Sequence, residues 1–341
     1  MLEPPDITIE TISAGLYGAF GIRAAEIRFL PLGADVDTAV FRVYGAGGEV
    51  YFLKLRRGPF PAAAVQVPHL LARNNCSHVI APLPARDGRL WAQIETFTAV
   101  LSPFIGGQDG WGRPLTPAQW TALGQTLRGL HALNPNVLPA GSLPREDYSS
   151  RWREQVIQFL EQRETYRDLD LPAQKLMHLL GRQAGLIEHL VMRAGELAGD
   201  MALRSPAVCI CHGDIHAGNV LIDTDGKLYV VDWDTLILAP KERDLMFIGG
   251  GIGELWNRAE EETWFYAAYG AVVIDPVALA YYRCERIVED IAAYCRGLLD
   301  PQHAAEGADR MVMYTQLAGQ FDGAEVIRIA LESEAAVRAG E

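Results

Sequence analysis

Cysteine is scarce in this chain of 341 residues. There are five, Cys76, Cys209, Cys211, Cys284 and Cys295, and no two are spaced Cys-x-x-Cys. An odd number without that spacing argues against a disulfide framework and against a zinc site. Cys209 and Cys211 alternate with Val208 and Ile210, which predicts a buried strand. No apolar run is long enough to span a membrane. The opening residues, Met1-Leu-Glu-Pro-Pro-Asp6, lack the basic and apolar regions of a signal peptide, so the expected location is the cytoplasm. Positive charge is also short: 30 Lys and Arg face 43 Asp and Glu, a net charge of −13, which makes nucleic acid an unsuitable partner. The imbalance is local. Residues 1–110 hold 10 acids against 9 bases, and the remainder holds 33 against 21. An acidic C-terminal portion suits a cationic partner, and equally a solubilising surface. One further absence is confined to a segment: residues 55–86 contain no Asp or Glu.

A hydrophobic fraction of 49% in a chain of this length supports two cores. Apolar residues at helical spacing predict a helix over residues 7–20. Short β-branched and aromatic runs at 27–30, 39–44 and 50–55 predict strands, with Gly45-Ala-Gly-Gly48 turning the second into the third. Residues 61–74 read as a helix, and 78–83, 89–97 and 99–104 as the strands that complete a five-stranded antiparallel sheet. Gly106-Gly-Gln-Asp-Gly110 breaks the pattern. Thr116-Pro117 then opens a helix whose Trp120, Leu123, Leu127 and Leu130 share one face. Further helices are predicted over 149–165, 171–201, 242–248, 259–269, 276–298, 307–318 and 323–335. The expected architecture is α+β, with an N-terminal sheet domain over residues 1–105 and a mainly helical domain over 106–341.

The segment His212-Gly-Asp-Ile-His-Ala-Gly-Asn219, followed by Val220 to Asp232, carries the chemistry. Val220-Leu-Ile222 and Leu228 to Val231 read as two strands joined by the turn Asp223-Thr-Asp-Gly226. Such a hairpin brings Asn219 and Asp232 close together. Phosphoryl transfer from a nucleotide needs a carboxylate to hold and deprotonate the acceptor hydroxyl, and oxygen ligands for Mg²⁺. Asp214 fits the first role; Asn219 and Asp232 fit the second. Lys54 lies in the strand Tyr51-Phe-Leu-Lys-Leu55. It reads either as a functional cation or as an edge-strand lysine facing water.

The His-Gly-Asp opening, Asn219, the hairpin and Asp232 together resemble the aminoglycoside phosphotransferase family, small-molecule kinases with the protein-kinase-like fold. The resemblance implies a bilobal enzyme using ATP (or GTP) with Mg²⁺, with Asp214 as catalytic base and Lys54 on the nucleotide phosphates. It places a phosphate-covering loop at Leu32-Gly-Ala-Asp-Val-Asp-Thr38, where Gly33 and Thr38 would contact phosphate, and a hinge at Leu101-Ser-Pro-Phe-Ile105, where Ser102 and Phe104 would flank the adenine. One departure stands out. Protein kinases pair the strand lysine with a glutamate on the next helix, and 55–86 offers no acid. Gln66 is the nearest polar substitute, and Asp232 with the nucleotide itself is the other candidate to hold Lys54. The resemblance also assigns Asp244 to an acid that holds the C-terminal domain together.

On the acceptor side, Glu285 and Glu289 are i,i+4 neighbours of like sign, and Arg286 and Asp290 are a favourable i,i+4 pair. Asp234, Glu285, Glu289 and Asp290, with Trp233 as an apolar wall, are candidate contacts for a cationic acceptor. A solvated charged face is the plain alternative. The resemblance extends through Ala239-Pro-Lys-Glu-Arg-Asp-Leu-Met-Phe-Ile-Gly-Gly-Gly251 and Arg286-Ile-Val-Glu-Asp-Ile291 to the branch acting on aminocyclitol antibiotics. It implies transfer to an aminocyclitol hydroxyl, the 9-hydroxyl where the acceptor is spectinomycin. A kinase for another cationic metabolite of the choline, homoserine or amino-sugar type, and a nucleotide-binding pseudokinase, remain the alternatives.

Overall fold

The structure is a computed structural model describing residues 4–32, 37–252, 255–300, 308–322 and 325–340. The chain opens with α1 (Ile9–Phe20), capped by the Thr8 side chain at its start and by left-handed Gly21 at its end. Strands β1 (Ala24–Leu30), β2 (Thr38–Gly45) and β3 (Val50–Arg56) follow, then α2 (Ala63–Arg73), β4 (Ala92–Ile94) and β5 (Phe97–Pro103). They form an antiparallel sheet in the order β1-β2-β3-β5-β4, so β3 is its central strand. Period-two alternation sorts the two faces. Phe41, Leu53 and Leu101 are in register across β2, β3 and β5, as are Ala39, Leu55 and Ala99. These residues are buried, and with Ile12 and Leu16 of α1 they build the core of this region. The opposite face carries Val40, Lys54 and Val100 in register, flanked by Arg56 and Phe52.

Two expected strands come out shorter. Residues 89–97 supply only β4, and 78–83 joins no sheet. Pro82 and Pro84 lack the N–H a ladder needs. What remains is a single bridge from Val79 to Val230 and a hydrogen bond from Leu83 N to Leu101 O of 2.7 Å. The glycine-rich segment 106–110 differs the other way: it is not a bare connector but contains β6 (Gly107–Asp109). β6 pairs with β8 (below) in a register where a Cβ at Gly107 would lie 2.2 Å from Ile222 O, so only glycine fits. α3 (Pro117–His131) starts with a full capping box between Thr116 and Gln119. Then come α4 (Arg151–Gln162), α5 (Leu171–Arg204) and β7 (Cys209–Cys211), the strand expected from the cysteine alternation. The hairpin β8 (Val220–Asp223) and β9 (Leu228–Val230) forms a three-stranded sheet with β6. β10 (Ile237–Ala239) pairs with β7, and α6 (Glu242–Leu245), α7 (Ala259–Tyr269), α8 (Pro276–Leu299), α9 (Ala308–Phe321) and α10 (Glu325–Gly340) complete the chain.

By compactness the chain divides into two units. The first comprises 1–144 and 218–237, the second 145–217 and 238–341. The expected boundary at 105/106 follows the chain out of the five-stranded sheet. Compactness instead keeps β6 and α3 with that sheet, because β6 pairs with β8 and α3 packs on β9 and α2. Within the second unit α8 is the hub. It contacts α4, α5, α6, α9 and α10, and it buries Tyr281, Tyr282, Cys284, Ile287, Val288 and Ile291. No helix among the described residues is long and apolar enough to cross a membrane.

Candidate functional site

In the first unit the hairpin places two of the predicted residues. Val220 pairs with Val230, and Val231 N donates to Asn219 O at 3.0 Å. Asn219 and Asp232 therefore flank the open end of the hairpin on opposite strands, although thirteen residues separate them. Asn219 is buried. Asp232 is exposed, and its carboxylate makes no hydrogen bond or ion pair that the described residues supply. Its backbone is left-handed, φ 63° and ψ 66°. That conformation costs a non-glycine residue on the order of 1–3 kcal/mol and is found where the surroundings demand it. Two hard oxygen donors at neighbouring positions, one of them a carboxylate without a partner among the described residues, fit a Mg²⁺ ion.

Lys54 is on the central strand, so the edge-strand alternative does not apply. Its ammonium donates to the Asp234 carboxylate, and Arg56 Nη1 reaches the same oxygen at 3.2 Å. Asp234 is thus the partner the sequence lacked between 55 and 86. Neither expected substitute fills that role: Gln66 Oε1 is buried without a hydrogen bond among the described residues, and the carboxylate that Lys54 reaches is that of Asp234, not Asp232. Asp234 was also expected beside the acceptor; it is instead engaged by the sheet cations. Trp233 is buried, 7% exposed, as part of the same 3₁₀ turn (residues 233–235), which packs on α2. Thr38 opens β2 opposite Arg56, and Ser102 on β5 is opposite Phe52. Phe104 N donates to Val50 O at 3.0 Å, and the Arg42 guanidinium lies 4.2 Å from the Phe104 ring. Gly33 lies outside the described residues.

In the second unit Asp214 stands in a loop fixed by Asp244. The fully buried Asp244 carboxylate accepts from His212 N at 2.7 Å and Gly213 N at 2.8 Å. Gly213 has φ 86°, a value that favours glycine and lets both amides turn toward one carboxylate. Arg243 Nε donates to Gly213 O at 3.2 Å from the same helix. Asp244 is the structural acid the resemblance assigned.

Asp214 itself is held on both oxygens. Arg286 Nη1 donates to Oδ1 at 2.5 Å, and His216 Nε2 is 3.4 Å from Oδ2. Burial pushes its carboxyl up, but the His216 hydrogen bond and the Arg286 charge outweigh burial and hold it well below the usual carboxylate range. Arg286 also donates from Nε to Asp290 Oδ1 at 2.9 Å. Burial lowers the Arg286 pKa, and the charges of Asp290, Asp214 and Glu289 more than reverse that. The contact of Arg286 with Asp214 spans 72 residues and was missed in the sequence, where Arg286 was paired with Asp290 alone.

The acidic stripe on α8 splits by burial. Glu285 is 4% exposed and faces Arg153 Nη1 at 2.6 Å. Burial pushes its carboxyl up to about 7 despite Arg153. It is committed to the interior of the helical unit, which corrects the expectation of an acceptor contact. Glu289 and Asp290 are partly exposed, at 27% and 26% of their side chains. Glu289 approaches Arg243 no closer than 3.9 Å.

A five-stranded antiparallel sheet in the first unit and a mainly helical second unit give the chain the α+β architecture of the kinase-like fold. Residues 26–284 match the phosphotransferase enzyme family, and the chain belongs to it. It is an ATP-dependent small-molecule phosphotransferase by class. It is similar to spectinomycin phosphotransferase APH(9)-Ia, solved in complex with ADP and spectinomycin: 33% identity, TM-score 0.86, covering 97% of this chain and 99% of that one. The AMP-bound complex of the same enzyme gives 32% identity and a TM-score of 0.82 over 95% and 98% of the two chains. Protein StrN of Streptomyces griseus is 30% identical over 227 residues, 64% of this chain and 67% of that protein.

Proposed function

We propose that the protein transfers the γ-phosphate of ATP to a hydroxyl of a cationic aminocyclitol, with spectinomycin and its 9-hydroxyl as the acceptor tested first. Asp214 orients the acceptor hydroxyl and accepts its proton. Its depressed pKa keeps it ionised at neutral pH, ready for that role, although a weak base. Lys54 binds the nucleotide phosphates, with Gly33 and Thr38 on the phosphate loop and Ser102 and Phe104 beside the adenine. Asn219 and Asp232 would hold Mg²⁺, which supplies charge neutralisation at the phosphates.

The observation that carries the acceptor reading is the acid excess around Asp214. Asp214, Glu289 and Asp290 gather about Arg286, and all three side chains remain about a quarter exposed. Spectinomycin has two amines that are protonated at neutral pH, and partly exposed carboxylates suit them. Identity of 33% over nearly the whole chain to an enzyme solved with that antibiotic supports the same reading. Its action belongs in the cytoplasm, where ATP and Mg²⁺ are both supplied.

Mass spectrometry on purified protein incubated with ATP, Mg²⁺ and spectinomycin tests the proposal, with NMR to place the phosphate. A product one phosphoryl group heavier, esterified at the 9-hydroxyl, is expected. Transfer only to choline-, homoserine- or amino-sugar-type acceptors would refute the aminocyclitol. Nucleotide binding without transfer to any acceptor would make the protein a pseudokinase.

A further inference from the structure

The β3 lysine of a kinase-like sheet needs a counter-charge that holds its ammonium when no nucleotide is bound. The helix after β3 gives none here. Residues 55–86 carry no acid, and Gln66 on α2 makes no hydrogen bond through its buried Oε1 among the described residues. The counter-charge comes from 180 residues downstream. The 3₁₀ turn Trp233–Thr235 packs against α2, and Asp234 extends from it to Lys54.

Asp234 does more than cap one lysine. Lys54 and Arg56 are two residues apart on β3 and so emerge on the same face, opposite the buried Leu53 and Leu55. Both donate to Asp234 Oδ2, Arg56 at 3.2 Å. Arg56 is fixed in turn by its Nε–H, which donates to Pro59 O at 3.0 Å. The three side chains are each about a quarter exposed, so water can screen but not replace the pairing. Asp234 also follows Asp232 by only two residues. The segment that presents the unpartnered carboxylate is therefore tied to the sheet through the same contact.

We infer that Asp234 is a positioning residue that replaces the missing helix glutamate: it holds Lys54 for the nucleotide phosphates and is not a contact for the acceptor. The inference rests on Lys54 binding the nucleotide, as proposed above. An ammonium already held in place loses less freedom when the phosphates bind, and a missing partner weakens nucleotide binding for that reason.

Calorimetry with the non-hydrolysable analogue AMP-PNP and Mg²⁺ tests it on the full chain and on Lys54→Ala, Asp234→Asn, Asp234→Glu and the double variant Lys54→Ala/Asp234→Asn. Asp234→Asn should weaken nucleotide binding about tenfold, the loss expected for one charge-assisted hydrogen bond. The KM for ATP should rise with it, while the KM for the acceptor stays unchanged. Asp234→Glu should recover most of the loss. The double variant should bind no more weakly than Lys54→Ala alone, because Asp234 acts through that lysine. Unchanged or tighter nucleotide binding in Asp234→Asn, or a rise confined to the acceptor KM, would overturn the inference. If Lys54→Ala weakens binding and Asp234→Asn does not, the inference fails while the nucleotide role of Lys54 stands. If Lys54→Ala binds as tightly as the natural protein, that role fails and the inference with it. Thermal melting of each variant separates these outcomes from unfolding, and Asp234→Glu carries the test should Asp234→Asn not fold.

Discussion

The sheet of the first unit and helix α8 of the second solve the same electrostatic problem with opposite signs. On β3 two cations, Lys54 and Arg56, reach the same carboxylate oxygen of Asp234. Around Asp214 the arrangement is reversed: one guanidinium, Arg286, donates to the carboxylates of Asp214 and Asp290, and the charge of Glu289 also acts on it. Each cluster is held by internal pairing: one carboxylate gathers two cations in the first, and one guanidinium gathers carboxylates in the second. The first suits polyphosphate and the second suits an amine. The deep pairs, Glu285 with Arg153 and Asp244 with two amides, are buried and serve the fold.

Four substitutions break that comparison at different points. The largest effect is expected for Asp232→Ala, which removes the unpartnered carboxylate at the hairpin mouth. Turnover should fall by roughly a thousandfold or more, and Mg²⁺-dependent nucleotide binding should go with it. Steady-state kinetics with a Mg²⁺ titration would show this, and near-normal turnover would remove Asp232 from the metal role. Asp244→Ala strips the acceptor from two buried amides and should cost roughly 4 kcal/mol of stability. Denaturant unfolding measures it; a loss below about 1 kcal/mol would mean that the loop is held by other contacts.

Glu285→Gln tests the buried half of the α8 stripe. The Glu285 carboxyl titrates near 7 when folded and near its ordinary, lower value when unfolded. The folded state therefore keeps the extra proton. The natural protein should lose up to roughly 3 kcal/mol as pH rises from about 4.5 through 7. The variant should lack that part of the slope, and unfolding curves at several pH values would check it. An acceptor contact would instead show as a change in acceptor KM at constant stability.

Arg286→Gln is expected to act mainly on pH dependence. With Arg286 present, Asp214 stays ionised far into acid, so its stabilising contacts and its role as base are both lost only at low pH. Without Arg286 burial is opposed by the His216 contact but no longer by the guanidinium charge. The acidic limb of kcat/KM should move up by about one pH unit, equivalent to about 1.4 kcal/mol. A limb that does not move would show that Arg286 does not govern Asp214.

What the sequence disclosed depends on separation along the chain. The Asn219–Asp232 hairpin was legible because its two strands and turn are contiguous. Lys54 was legible because strand alternation exposes a charge among apolar neighbours. Residues 78–83 misled because their β-branched run conceals a proline, Pro82, with a second, Pro84, directly after it. The Asp234–Lys54 and Arg286–Asp214 contacts were out of reach. Partners 180 and 72 residues apart leave no periodic signal, and the only hint of the first was an absence of acids from 55 to 86. Burial likewise separates Glu285 from Glu289, which are identical in kind and one helical turn apart.

The central claim is that Asp214 accepts the proton of the acceptor hydroxyl and that the nucleotide is bound without it. Asp214→Asn keeps the shape of the side chain and removes its capacity as a base. The decisive measurement is phosphoryl transfer from ATP by this variant, made alongside its Mg²⁺-dependent affinity for AMP-PNP. The account predicts transfer reduced by at least about a thousandfold with nucleotide affinity within a few-fold of the natural protein. Transfer at a comparable rate, with nucleotide bound normally, would contradict it.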